Sequence, residues 1–276
     1  MELLHFRIMI LCSILLAAWI SLPAMKVYGE PVTGGADNKM LTIAHRGASG
    51  YAPENTKASF DLALEMKADY IELDVQRSRD GELVIIHDTS VDRTTNGSGE
   101  VRDLNLEELR KLDAGSWFSP DFKGQGIMTF AEFLERYNGK AGMLIELKSP
   151  SLYPGIEEQV AEELSKYPAA DKVVQSFEQE SMKKMHAIMP FLKIGVLVKY
   201  RPLGITARQL QELSEFADYV NPNKKLASRG LVQKVHALGM KITPYTVRDR
   251  SSAAALKEME VDGMVTDFPD YVNELK

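Results

Sequence analysis

Thiol chemistry is nearly absent from this chain. Its 276 residues include one cysteine, Cys12, which excludes an internal disulfide and a cysteine-based zinc site. A basic excess is also missing. The 33 Lys and Arg stand against 39 Asp and Glu, a formal net charge of −6, whereas a duplex-DNA binder usually carries the opposite balance, so no nucleic-acid partner is expected. The 19 Gly and 12 Pro follow no repeat, which excludes collagen-like or low-complexity character. No G-x-G-x-x-G follows the first apolar run of the main body, which weakens a dinucleotide-binding open sheet. What remains is globular composition, 45% hydrophobic and 26% charged, sized for one large domain or two small ones.

Residues 8–25 carry no charge. Arg7 precedes them, and Lys26 with the small residues Val27 and Gly29 follows. This arrangement reads as a secretory signal over residues 1–29, cut after Gly29, with a linker at 30–40. An uncleaved membrane anchor is the alternative, since 18 apolar residues nearly span a bilayer. Cleavage would remove Cys12 and leave a thiol-free protein working outside the membrane barrier.

From residue 41 onward, short apolar runs alternate with segments of helical period. Strands are expected at 41–47, 70–76, 142–148, 172–177, 193–198, 218–223, 241–247 and 262–268. Helices are expected at 55–68, 129–137, 155–166, 179–188, 206–216, 226–238 and 250–259, so every strand but the last precedes one. Asp80-Gly81 signals a hairpin whose returning arm is 83–87. Residues 88–128 break the rhythm with turn residues, a short helix at 105–112 and the pair Trp117–Phe118, and read as an insertion after the second strand. The fold class is therefore α/β, a (β/α)8 barrel with a mainly aliphatic interior, occupying residues 41–276.

Polar residues collect where these strands end, the place where a parallel barrel builds its chemistry. His45 and Arg46 close the first strand. Glu72 and Asp74 end the second with both carboxylates on one face, and Glu146 and Lys148 repeat that spacing on the next. His87 ends the hairpin arm. Singly, each has an ordinary reading as a packing or ion-paired residue. Together they form a set that is costly to bury without purpose. Three carboxylates in a confined mouth repel unless a cation joins them, and an all-oxygen set favours Ca²⁺ or Mg²⁺ over structural zinc. A cation with Arg46 and Lys148 would neutralise a phosphodiester, while two imidazoles divide the proton transfers between nucleophile and leaving alkoxide. His186 and His236 lie within helices and read as surface or packing residues.

The segments IAHRGASGYAPENT (43–56), YIELDVQRSRDGELVIIHD (70–88) and IELK (145–148) resemble the glycerophosphodiester phosphodiesterase family. The likeness continues through DRTTNGSG (92–99), VQSFE (174–178), YTVRD and VDGMVTDFPD. It implies a TIM barrel with a small inserted subdomain that hydrolyses glycerophosphodiesters to glycerol 3-phosphate and an alcohol. It further implies His45 and His87 as the acid/base pair, Glu72, Asp74 and Glu146 as ligands of one divalent cation, and Arg46 and Lys148 as phosphate contacts. Which histidine is the acid is left open, as is Ca²⁺ against Mg²⁺.

Two departures bear on specificity. Tyr245 and Arg248 stand where relatives commonly carry Trp and Asn, so Tyr245 keeps an aromatic wall for the substrate and Arg248 brings a cation. Ile127, Met128, Thr129 and Phe130 replace the usual Ile-Pro-Thr-Leu at the entry to the second barrel helix. Trp117 and Phe118 either line the alcohol pocket or pack the insertion. The competing functions are a lipid-directed phospholipase C or D, and a protein that binds glycerophosphodiesters without cleaving them. The expected partner is a small glycerophosphodiester or a glycerol-phosphate polymer, with no obligate protein partner.

Overall fold

The computed structural model describes residues 39–168 and 171–276. The leader, its cut after Gly29, Cys12 and the linker up to residue 38 lie outside these residues.

The elements follow in chain order. Strand β1 is Leu41–Ala44, helix α1 Lys57–Glu65, β2 Tyr70–Arg77 and the returning arm β3 Leu83–Ile85. After the short helix α2 (Leu106–Leu109) come α3 (Phe130–Tyr137), β4 (Gly142–Leu147), α4 (Ile156–Ser165), β5 (Lys172–Ser176) and α5 (Gln179–Ile188). The chain continues through β6 (Lys193–Val198), α6 (Ala207–Leu213), β7 (Tyr219–Pro222), α7 (Arg229–Ala237), β8 (Lys241–Ile242), α8 (Arg250–Glu258), β9 (Gly263–Thr266) and α9 (Pro269–Asn273). Eight of the strands run parallel in the order β8-β7-β6-β5-β4-β2-β1-β9, and β3 pairs antiparallel with β2. Backbone bonds from Asp262 to Ile242 and from Val265 to Pro244, with a bridge between Val247 and Thr266, bring the two ends together into a nearly closed barrel.

Alternation along each strand separates two cores. Ile71, Leu73 and Val75 of β2, with Ile145, Val174, Val196, Val220 and Met264, join the large cluster under the helices. Ile43, Tyr70, Leu144, Val173, Tyr219 and Val265 form a second cluster drawn from six strands. The expectation of an aliphatic interior needs correction. Buried Asn221 donates to Gln175 (2.6 Å), and Thr243 donates to Asn221 (2.5 Å). This polar chain is satisfied internally and so carries little desolvation cost.

Three boundaries differ from the sequence pattern for local reasons. β1 stops at Ala44 because the chain turns sharply: Arg46 has φ 57° and Gly47 φ 81°. A Cβ at Gly47 would lie 2.5 Å from the Ser59 carbonyl carbon, so only glycine lets this turn sit on α1. β8 shortens to two residues, and Pro244, which has no N–H, interrupts its continuation. A helix also follows the last strand: α9 starts at Pro269 and covers five residues, too few to show a period.

Residues 88–128 include a 3₁₀ turn at Val101–Asp103, α2 and a 3₁₀ turn at Pro120–Phe122. Val91, Val101, Leu109, Ala114 and Ile127 bury against Val84 and Ile86 in a separate small core. The expected helix at 105–112 is only α2, capped at Asn105 by reciprocal bonds with Glu108. Thr129 and Glu132 form the same box at the start of α3, so the altered approach through Met128 leaves a well-capped helix. Among the described residues, no helix is long and apolar enough to cross a membrane.

Candidate active site

Pairing between β2 and β4 sets the centre of the site. Asp74 lies opposite Glu146, with Glu72 two residues back on the same face. One oxygen from each carboxylate comes within 4.8 Å of the others, and all three side chains are buried. Burial and the neighbouring carboxylates raise Glu72 well above the ordinary carboxylate range. Burial likewise raises Glu146 to about 7, against the pull of Lys148. Burial would also raise Asp74, but Arg46, Lys148, His87 and Asn55 outweigh it and hold the group low. Asp74 Oδ1 makes no hydrogen bond, and the Lys148 ammonium stands 3.6 Å away. Two carboxyls tending to stay protonated beside a buried, unbonded anionic oxygen form a donor set suited to a hard divalent cation.

The other expected residues converge on this centre. The turn after β1 directs the Arg46 N–H to Glu72 (2.8 Å), while its guanidinium donates to Glu54 (2.7 Å) and lies 3.2 Å from Asp74. Lys148 donates to Glu146 at 2.6 Å. His45, His87, Arg46, Glu72, Glu146, Lys148 and Tyr245 all line one cavity of about 110 Å³ at the strand C-termini. The Tyr245 hydroxyl donates to the Val198 carbonyl (3.1 Å), so its ring presents the wall, with Phe177 edge-on at 6.0 Å. Trp117 and Phe118 pack edge to face on each other, and neither lines this cavity.

Each histidine is fixed through Nδ1. His45 pairs with Asp267 at 2.6 Å and His87 with Asp88 at 2.5 Å, which leaves Nε2 of each ring for proton exchange. Burial, with Arg46 adding to it, pushes His45 below its ordinary value, against the pull of Asp267. Burial also lowers His87, with Asp74 opposing and Arg46 and Lys148 assisting. Both imidazoles are therefore neutral near pH 7. Away from the site, His236 pairs with Asp262 at 2.9 Å.

Several partners were not singled out by residue patterns. Asn55 donates to Asp74 Oδ2 (2.8 Å). Arg93 donates to both oxygens of Glu54 (2.8 Å each) and to Asp88 (2.6 Å), linking the carboxylate that holds Arg46 to the one that holds His87. Arg248 pairs with Asp267 at 2.5 Å, so its charge is spent on the residue that orients His45. All except Asp267 lie outside the expected strands and hairpin arm from which the site was read. Their signal was presence within the PENT, HD, DRTTNG, YTVRD and TDFPD segments.

A parallel barrel with buried carboxylates, paired imidazoles and cations at its C-terminal mouth defines an enzyme of the (β/α)8 class. The chain belongs to the glycerophosphoryl diester phosphodiesterase family, whose model matches residues 45–271. It is 46% identical to YhdW of Bacillus subtilis strain 168, over 84% of this chain and 96% of that one. A glycerophosphodiester phosphodiesterase of the same organism is 38% identical over 87% of each chain. The structure of an Oleispira antarctica phosphodiesterase in complex with the product sn-glycerol-3-phosphate superposes with a TM-score of 0.79 at 30% identity, covering 84% of this chain and 94% of that one.

Proposed function

We propose that this protein hydrolyses glycerophosphodiesters to sn-glycerol 3-phosphate and an alcohol, with His45 and His87 as catalytic acid and base. The observation that carries this reading is the pair of imidazoles on one small cavity, each with Nδ1 held by a carboxylate. Glu72, Asp74 and Glu146 would hold one divalent cation, Ca²⁺ or Mg²⁺. Bound there, it would supply positive charge to the phosphoryl oxygens and the transition state.

The chain's own residues account for the rest. Arg46 and Lys148 contact the phosphate, while Tyr245 and Phe177 flank it. Anionic phosphate raises the pKa of both imidazoles, so one holds a proton as the substrate seats. The neutral ring takes a proton from the attacking oxygen, the phosphorus–oxygen bond to the alcohol breaks, and the charged ring protonates the departing alkoxide. The attacking oxygen is the neighbouring hydroxyl of the glycerol moiety, and water then opens the resulting cyclic phosphate. The leader at 1–29 would carry the enzyme outside the membrane barrier.

His45→Ala and His87→Ala should each lower kcat by about 10²–10⁴-fold while the melting temperature stays close to that of the unaltered protein. Turnover preserved in either folded variant would contradict the assignment.

A further inference from the structure

We propose that the larger cavity beside the catalytic mouth receives a second phosphate carried by the leaving alcohol, and that Lys199 and Arg201 bind it. This rests on the hydrolytic reading above and names the substrate class of the same site.

The cavity measures about 700 Å³, within the range of small-molecule sites, and shares His87, Glu146, Lys148 and Phe177 with the catalytic mouth. β6 ends at Val198, and Lys199, Tyr200 and Arg201, which follow it, line the cavity. Neither Lys199 nor Arg201 has a carboxylate partner among the described residues. Glu178, an acid on the same wall, is occupied by Ser151, which donates from its backbone N–H and hydroxyl at 3.1 and 3.0 Å. A third cation, Lys225, lies over the Tyr200 ring at 5.7 Å. In a chain of net charge −6, unpaired cations gathered beside a phosphodiester site call for an anion.

The aromatic wall supports the same reading by exclusion. A choline or other quaternary ammonium group binds to an open aromatic face. Here the Lys199 ammonium already sits 4.9 Å from the Phe177 ring centre, with Lys148 at 5.9 Å. A cationic alcohol would meet like charge at the one aromatic ring shared by both cavities. A phosphate meets two free cations, one of them a guanidinium suited to bidentate phosphate contact. The chemistry is shared by a bisphosphate small molecule and by a repeating glycerol-phosphate chain.

The test compares kcat/KM of the full-length protein on glycerophosphoglycerol, on the same diester phosphorylated at its distal hydroxyl, and on a glycerol-phosphate trimer. The phosphorylated diester or the trimer should exceed glycerophosphoglycerol by at least about tenfold, with the excess shrinking as salt rises. Preference for the monoester points to small bisphosphates, and preference for the trimer to a polymer. In Lys199→Ala/Arg201→Ala the ratio should fall to about one. Equal kcat/KM on all three, or a ratio unmoved by the double substitution, overturns the second-phosphate site while leaving the hydrolytic reading intact. No turnover of any of the three overturns both.

Discussion

Asp74 is held on one oxygen and left without a hydrogen bond on the other, and that asymmetry makes it the pivot of the site. Asn55 supplies the fixed contact from a buried position with φ 57°. Such a second-layer amide sets where the remaining lone pairs aim. Asn55→Ala should therefore weaken Mg²⁺ or Ca²⁺ binding by roughly 10–100-fold by calorimetry, without touching the cation itself. An unchanged affinity would remove Asn55 from the account. The expected site residues His45, Arg46, Glu72, Asp74, His87, Glu146 and Lys148 were legible because each ends an apolar run, where a charge has no packing role. Asn55, Asp88 and Asp267 were not. A polar residue in a loop is ordinary on its own, and only the fold shows which imidazole or carboxylate it faces.

At the scale of elements, one side chain of the segment after β3 ties two parts of the catalytic site together. Arg93 joins Glu54, which holds Arg46, to Asp88, which holds His87. Arg93 is a positioning residue, because it lines neither the catalytic cavity nor the one beside it. Misplacing a catalytic group by about 1 Å can cost on the order of 10²-fold. Arg93→Ala should lower kcat by roughly 10- to 100-fold with KM little changed, and Arg93→Lys should recover only part. A purely structural role would instead show as lost melting temperature at normal kcat. The strand–helix rhythm was legible because burial imposes its period. The ends of β1 and β8 were less so, since the turn at Arg46–Gly47 and the break at Pro244 are local backbone constraints.

Another inter-element tie sits away from the chemistry. Asp61 on α1 accepts from Arg136 and Tyr137 on α3 and from Lys57. Burial would raise its pKa, but these partners lower it to about 2 from an ordinary 3.8. A carboxylate depressed on folding stabilises the native state above its unfolded pKa, and that stability is lost as pH falls through the folded value. The stability difference between the unaltered protein and Asp61→Asn should hold above pH 5 and close between about pH 4 and 2 in urea titrations. A difference independent of pH across that window would show that charge is not what joins α1 to α3.

For the whole molecule, the acidic centre exists only because β2 and β4 pair in one register, so a cation that binds it binds the folded chain alone. Everything proposed for the site depends on that cation being required. Turnover of glycerophosphoglycerol by the purified full-length protein, measured before EDTA, after EDTA and after restoring Mg²⁺ or Ca²⁺, tests this most directly. The account predicts release of glycerol 3-phosphate that stops with EDTA and returns with at least one of the two cations. Undiminished turnover in excess EDTA would contradict it.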